Sequence, residues 1–115
     1  YPYSVSVNKD SLLQTINRLT LFAGKDILNL YSKFEFKKDS VTIYDARMEN
    51  KEEIFYTSGN IDVEDMYSVV LDFVDLKMTL ETCIEQYVNI HFGNNTALVL
   101  SRGNVRNVIP EIRTL

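Results

Sequence analysis

YSVSVN (Tyr3–Asn8) and YSVVLD (Tyr67–Asp72) decide how the rest of the chain is read. Both read as strands, and each ends in a residue able to cap a helix, Asn8 in one and Asp72 in the other. A helical pattern follows each. At about 100° per residue, Leu12, Ile16, Leu19 and Ala23 form a narrow apolar stripe that Leu13 widens, while Ser11, Gln14, Arg18 and Lys25 fall opposite. In the second pattern the stripe is Phe73, Leu76, Leu80, Cys83, Ile84 and Tyr87, with Glu81 and Glu85 on the other side. Leu21 lies on the polar side of the first helix, and the pattern gives no reason for it.

Three strands are expected after each helix. From Leu28 to Lys37 the chain alternates: Leu28, Leu30, Phe34 and Phe36 share one face, and Asn29, Lys33, Glu35 and Lys37 take the other. The turn residues Lys38, Asp39 and Ser40 lead into VTIYDA, and EEIFYTS follows Glu49 and Asn50, which together make an antiparallel meander. The second half repeats the design with YVNIHF, TALVLS and VRNVIPEI, separated by Gly93-Asn94-Asn95 and Arg102-Gly103-Asn104. The order strand, helix, three strands thus occurs twice, in about 1–61 and 66–115, with the polar, acidic stretch from Gly59 to Asp65 as connector. A repeat of about 60 residues predicts an α+β fold of two βαβββ units related by a pseudo-twofold, both helices on one side of antiparallel sheets. Neither unit can bury its sheet alone.

The chain has the length of one domain: 115 residues bury a single core and are too few for two. With 45% apolar and 24% charged residues, and only 4 Gly and 2 Pro, disorder and low complexity are excluded. No apolar run approaches the roughly 20 residues that cross a bilayer. A single cysteine, Cys83, leaves no internal disulfide, and with no basic-then-apolar leader the expected compartment is the cytoplasm. A net charge of −4 argues against indiscriminate nucleic-acid binding, though a local basic face is compatible with it.

Catalytic chemistry finds little support. His91 alternates with Ile90 and Phe92 and is expected to point outward, with no second histidine to complete a metal set. Cys83 lies on an apolar stripe, where a buried thiol is expected rather than a nucleophile. Glu49, Glu52 and Glu53 form a turn-edge charge run of the kind that protects a sheet edge. No glycine-rich phosphate loop is present. The reading is of a protein that is not an enzyme and uses no cofactor or metal. A hydrolase would need a site assembled from His91 and distant carboxylates.

The last residues, NVIPEIRTL, keep Ile109, Ile112 and Leu115 around Pro110 where a terminal strand usually frays in polar residues, so something should cover them. In this order, DSLLQTINRLTLFAGKD, KKDSVTIYDARMENKEEI, LDFVDLKMTLETC and NVIPEIR resemble the DNA sliding clamps, specifically the C-terminal domain of the bacterial β type, over nearly all 115 residues. The resemblance implies a ring of six such domains with helices lining the hole and sheets outside. It implies duplex DNA as an encircled, sequence-independent partner, DNA polymerase and clamp loader as partners through short peptides, and a homo-oligomer as the full protein. Tyr1-Pro2, with no initiator Met, reads as a domain boundary within a longer chain.

On that resemblance Gln14, Arg18, Lys25 and Lys77 are the candidate DNA-facing residues, although Glu81 and Glu85 would repel phosphate at the second helix. Val108, Ile109, Pro110 and Ile112 are the candidate lining of a partner-peptide pocket. Simple core packing would account for Val108 or Ile109 equally well, and a solvated helix face for the charges. Asn107 and Glu111 depart from the more apolar tail of the family. The expected function is a DNA polymerase processivity factor domain. The alternative is a stand-alone clamp-fold interaction module that modulates replication or transcription without forming a ring.

Overall fold

A computed structural model describes residues 1–21, 31–61 and 67–112. The elements are β1 (Tyr3–Asn8), α1 (Lys9–Leu21), β2 (Tyr31–Phe36), β3 (Ser40–Tyr44), β4 (Lys51–Phe55), β5 (Tyr67–Asp72), α2 (Phe73–Glu81), β6 (Tyr87–Phe92), β7 (Ala97–Arg102) and β8 (Val105–Pro110). The doubled order expected from YSVSVN and YSVVLD is therefore present among the described residues. Both helices start where the sequence places caps: the Ser11 N–H donates to Asn8 Oδ1 at 2.9 Å and the Val74 N–H to Asp72 Oδ1 at 2.8 Å.

The first strand of each half is exchanged into the sheet of the other. β1 pairs with β6 to give the sheet β1-β6-β7-β8, and β5 pairs with β2 to give β4-β3-β2-β5, all pairs antiparallel. The helices pack against each other, α1 over β1 and β4 and α2 over β5 and β8. Each contact of the first half has its counterpart in the second, as a pseudo-twofold requires. β1 and β5 even share one burial pattern, turning Val5 and Val7, and Val69 and Leu71, into the core.

The axis runs close to a cluster of aromatic rings. Phe36 ends β2 and Phe92 ends β6; their rings stack with centroids 4.1 Å apart. Tyr3 sits opposite Phe92 in the ladder and Tyr67 opposite Phe36, and the two tyrosine rings lie 6.2 Å from each other. Phe36, Phe92 and Phe73 are fully buried, each burial contributing about 1.5–3 kcal/mol. Because the stacked pair takes one ring from each sheet, the two sheets share one core.

The chain leaving each outer strand crosses to the other sheet. After β4, Ser6 and Ser58 form a bridge. Gly59 then passes so near β1 that a Cβ would lie 2.9 Å from the Ser4 carbonyl oxygen, and it holds φ +83°, so only glycine fits. After β8, the Glu111 N–H still reaches the Thr96 carbonyl, and the Ile112 N–H donates to the Val70 carbonyl of β5 at 2.8 Å. The terminal apolar residues thus have a cover in part: Ile109 is core and Ile112 is half-buried against the neighbouring sheet.

Several expectations are corrected. α2 ends at Glu81 with Thr82 as its C-cap, so the apolar stripe does not continue: Ile84 is 93% exposed and Tyr87 is 47% exposed at the start of β6. Cys83 is buried, but from the turn that follows the helix. Glu85, expected on the polar helix face, lies in that turn 3.6 Å from Arg102. In β2, Glu35 is buried although it alternates with the core residues, because Lys33 approaches its carboxylate to 3.7 Å on the outer face. The stretch expected to be a polar connector includes Ile61, which is buried in the core with its N–H bonded to the Lys38 carbonyl. Ala23, Lys25, Leu28, Asn29, Leu30, Asp65 and Leu115 lie outside the described residues.

Candidate functional site

Two surfaces were singled out by sequence, and the fold treats them differently. On the helix layer Gln14 and Arg18 are exposed, and the half-buried Lys77 lies on the neighbouring helix. Arg18 is committed elsewhere. Its guanidinium holds Glu52 of β4 through Nη2 to Oε1 at 2.7 Å and Nε to Oε2 at 3.0 Å, and Nη2 also reaches Thr15 Oγ1 at 3.3 Å. The hydrogen bond to Glu52 raises the Arg18 pKa further above its ordinary value. Lys77 lies 3.8 Å from Glu81 one turn on. α1 and α2 carry Lys9, Arg18 and Lys77 against Asp10, Asp75 and Glu81, so the two helices together are neutral. Lys25, the fourth candidate, lies outside the described residues.

The tail residues separate. Ile109 faces Leu98 and is core, whereas Val108 pairs with Val99 on the outer face and is 65% exposed; Pro110, opposite Ala97, is exposed too. Alternation forces this split, since neighbours on a strand cannot share a face. Asn107 turns inward and accepts from Arg102 Nη1 at 3.0 Å, and Arg102 also reaches Thr82 Oγ1. Ile112 lines a cavity.

That cavity is an open cleft of about 800 Å³ between the tail and the edge of β5, lined by Lys33, Ser68, Val69, Val70, Asn95, Glu111 and Ile112. Its size is that of a site for a few residues of peptide. Glu111, which the sequence reading set aside as a departure, is held by the Tyr67 hydroxyl at 3.3 Å, and the same hydroxyl contacts Asn95. Its apolar surface comes from Val70 and Ile112, since the Val69 side chain is core, and Lys33 and Glu111 bring one charge of each sign to the lining. Beyond Lys33, the Tyr44 ring has the Lys33 and Lys51 ammonium groups 5.9 and 6.0 Å from its centroid. Sequence reasoning missed the β5 wall, because YSVVLD carries no sign of which strand forms a sheet edge.

Other groups are structural in their geometry. His91 Nε2 lies 2.9 Å from Ser101 Oγ on the outer face of its sheet, and burial, helped by the nearby Arg106 charge, lowers its pKa. Burial raises the Cys83 thiol above its ordinary value. Among the described residues no three His, Cys, Asp or Glu side chains are placed to hold a metal, and no helix is long and apolar enough to cross a membrane.

No protein-family model and no curated protein sequence matches the chain. Solved structures do. The beta subunit of DNA polymerase from Streptococcus pyogenes matches with TM-score 0.82 at 19% identity, over 99% of this chain and 32% of that one. The beta sliding clamp of Caulobacter crescentus matches with TM-score 0.83 at 11% identity, over 97% of this chain and 30% of that one. The DNA polymerase III beta subunit of Thermotoga maritima matches with TM-score 0.77 at 16% identity, over 96% and 30%. The chain spans about a third of the length of the clamps it matches. Two exchanged four-stranded sheets with paired helices, superposable over nearly every residue, are the fold of a bacterial DNA polymerase III beta sliding-clamp domain.

Proposed function

We propose that the chain is one domain of a DNA polymerase processivity factor: a ring that encircles duplex DNA and tethers replication partners, with no chemistry of its own. The observation that supports it is the whole-chain superposition on clamp domains, exchanged strands included. The full protein would be a homo-oligomer in the cytoplasm, completing a ring of six such domains with α1 and α2 toward the hole. Polymerase and clamp loader would dock by short peptides in the cleft at Ile112 and Val70. A sliding ring needs only weak, salt-sensitive attraction to DNA, so neutral helices in this domain are compatible with it if other domains supply positive charge.

The test is topological. The full-length protein that carries this domain, loaded on nicked circular DNA, should stay on the circle through gel filtration and leave when the circle is cut. A full-length protein that remains monomeric and elutes alike from circular and linear DNA would refute the ring.

A second reading, a clamp-fold interaction module that forms no ring, is favoured by one observation: Arg18 and Lys77 are both paired with carboxylates. Glu52→Gln separates the two. It releases Arg18 with little change in stability, since the pair is solvent-accessible and screened. If the helices face DNA, retention at low salt should rise, and the gain should fade at high salt. Retention unchanged by E52Q would remove Arg18 from the DNA face.

A further inference from the structure

Glu49, Glu52 and Glu53 read in sequence as one charge run at a strand edge, but the fold separates Glu52 from Glu53. β4 turns Ile54 into the core, so by alternation Glu53 faces outward, where its carboxylate accepts from Ser40 Oγ at 2.6 Å, while Glu52 turns inward beneath α1. There it meets Arg18 with both oxygens: Nε donates to Oε2 at 3.0 Å and Nη2 to Oε1 at 2.7 Å. That flat edge of the guanidinium is the one with which an arginine forks a phosphate. The pairing recurs across the helix layer. Lys9 Nζ lies 2.8 Å from Asp10 and Lys77 Nζ 3.8 Å from Glu81, so among the described residues each cation of α1 and α2 already has a carboxylate.

We propose that Glu52, with Glu81, is a built-in counter-ion that stands in for DNA phosphate on the helix layer. These carboxylates keep the cations neutral, so a phosphate is met only by exchange and the duplex slides past this domain without being gripped. The proposal rests on the reading that α1 and α2 face the duplex, and it assigns the residues that set how strongly they hold it. Glu52 is the stronger of the two. Its side chain is only 29% exposed and is delivered by a strand of the sheet, whereas Lys77 and Glu81 are flexible, solvated neighbours on one helix. Each phosphate contact made by a free cation adds about 0.9 to the steepness of log K against log salt. A cation that keeps its own carboxylate adds almost nothing, because the pair carries no net charge.

The experiment measures the association constant of the full-length protein for a linear duplex of about 30 base pairs, by fluorescence anisotropy, between about 50 and about 200 mM salt. Glu52→Gln should steepen the slope by about 0.9, so that its gain over the native protein shrinks about three- to fourfold across that range. Glu81→Gln should act in the same direction with a smaller change, and the double variant should approach the sum. Arg18→Ala separates the release of Arg18 from the simple loss of a negative charge: in that background Glu52→Gln should steepen the slope by less than about half as much. Thermal melting confirms that each variant is folded. Should Glu52→Gln not fold, Glu81→Gln at its exposed helix position carries the test, and a slope it leaves unmoved overturns the proposal. Duplex binding whose slope is the same in the native protein and in Glu52→Gln would overturn the proposal and leave the clamp reading standing, as would an equal effect of Glu52→Gln with and without Arg18. Duplex bound by no form even at about 50 mM salt would mean that α1 and α2 do not meet DNA, which overturns both.

Discussion

Asp45 shows how one residue organises a loop. It is fully buried at the end of β3, and its carboxylate accepts from the Glu49 N–H and from Asn50 Nδ2, both at 2.9 Å. Its own backbone pairs with Asn50 and Met48, holding Met48 at φ 61° at an exposed tip. Burial alone would raise the Asp45 carboxyl, but the hydrogen bonds from Asn50, Glu49 and Arg47 outweigh it and hold the group below the ordinary carboxylate range. A depressed folded-state pKa means that the stabilisation is present above the unfolded value, about 4, and is lost as pH falls through the folded value. Asp45→Asn should therefore cost about 1–2 kcal/mol at pH 7, and the gap to the native protein should close on going to pH 3. Urea unfolding at the two pH values measures this; a gap that stays constant would mean that the charge of Asp45 is not what holds the loop. Sequence showed the residue only as part of VTIYDA, because a buried carboxylate is legible only when its donors are in view.

At the scale of elements, the caps and the helix ends separate what is local from what is not. Asn8 and Asp72 were legible because capping is a contact within a few residues. Asn8→Ala and Asp72→Ala should each cost about 1 kcal/mol, with the double variant near the sum, since the two caps belong to different helices. Thermal melts of the three variants would show it, and a double variant much worse than the sum would mean that the caps act on one cooperative unit. The end of α2 was not legible. Cys83 and Ile84 continue the apolar period past Glu81, but the chain must turn into β6, and Ile84 is left in solvent. Periodicity reports which residues could share a face; where a helix stops depends on what packs against it.

The whole molecule is held by contacts between its halves. Phe36 and Phe92 occupy equivalent positions and stack on each other, so Phe36→Ala and Phe92→Ala should cost similar amounts, about 3–5 kcal/mol each. Their combination should depart from the sum by about 0.5–3 kcal/mol, because each variant already removes the other's partner. Urea unfolding of both singles and the double checks the coupling; strict additivity would contradict a shared core. By itself the sequence determined, in outline, the strands and helices found among the described residues, the caps and the doubled βαβββ order, because each is written in periodicity, turn residues or composition over short range. Only the tertiary structure decided that β1 and β5 change sheets, that Arg18 is spent on Glu52, that Val108, Ile109, Pro110 and Ile112 divide among core, surface and cleft, and that the cleft's other wall is β5. Those outcomes depend on pairing between residues far apart in the chain, where alternation specifies a strand's two faces but not its neighbour, and a charge's partner is set by which strand passes beneath it.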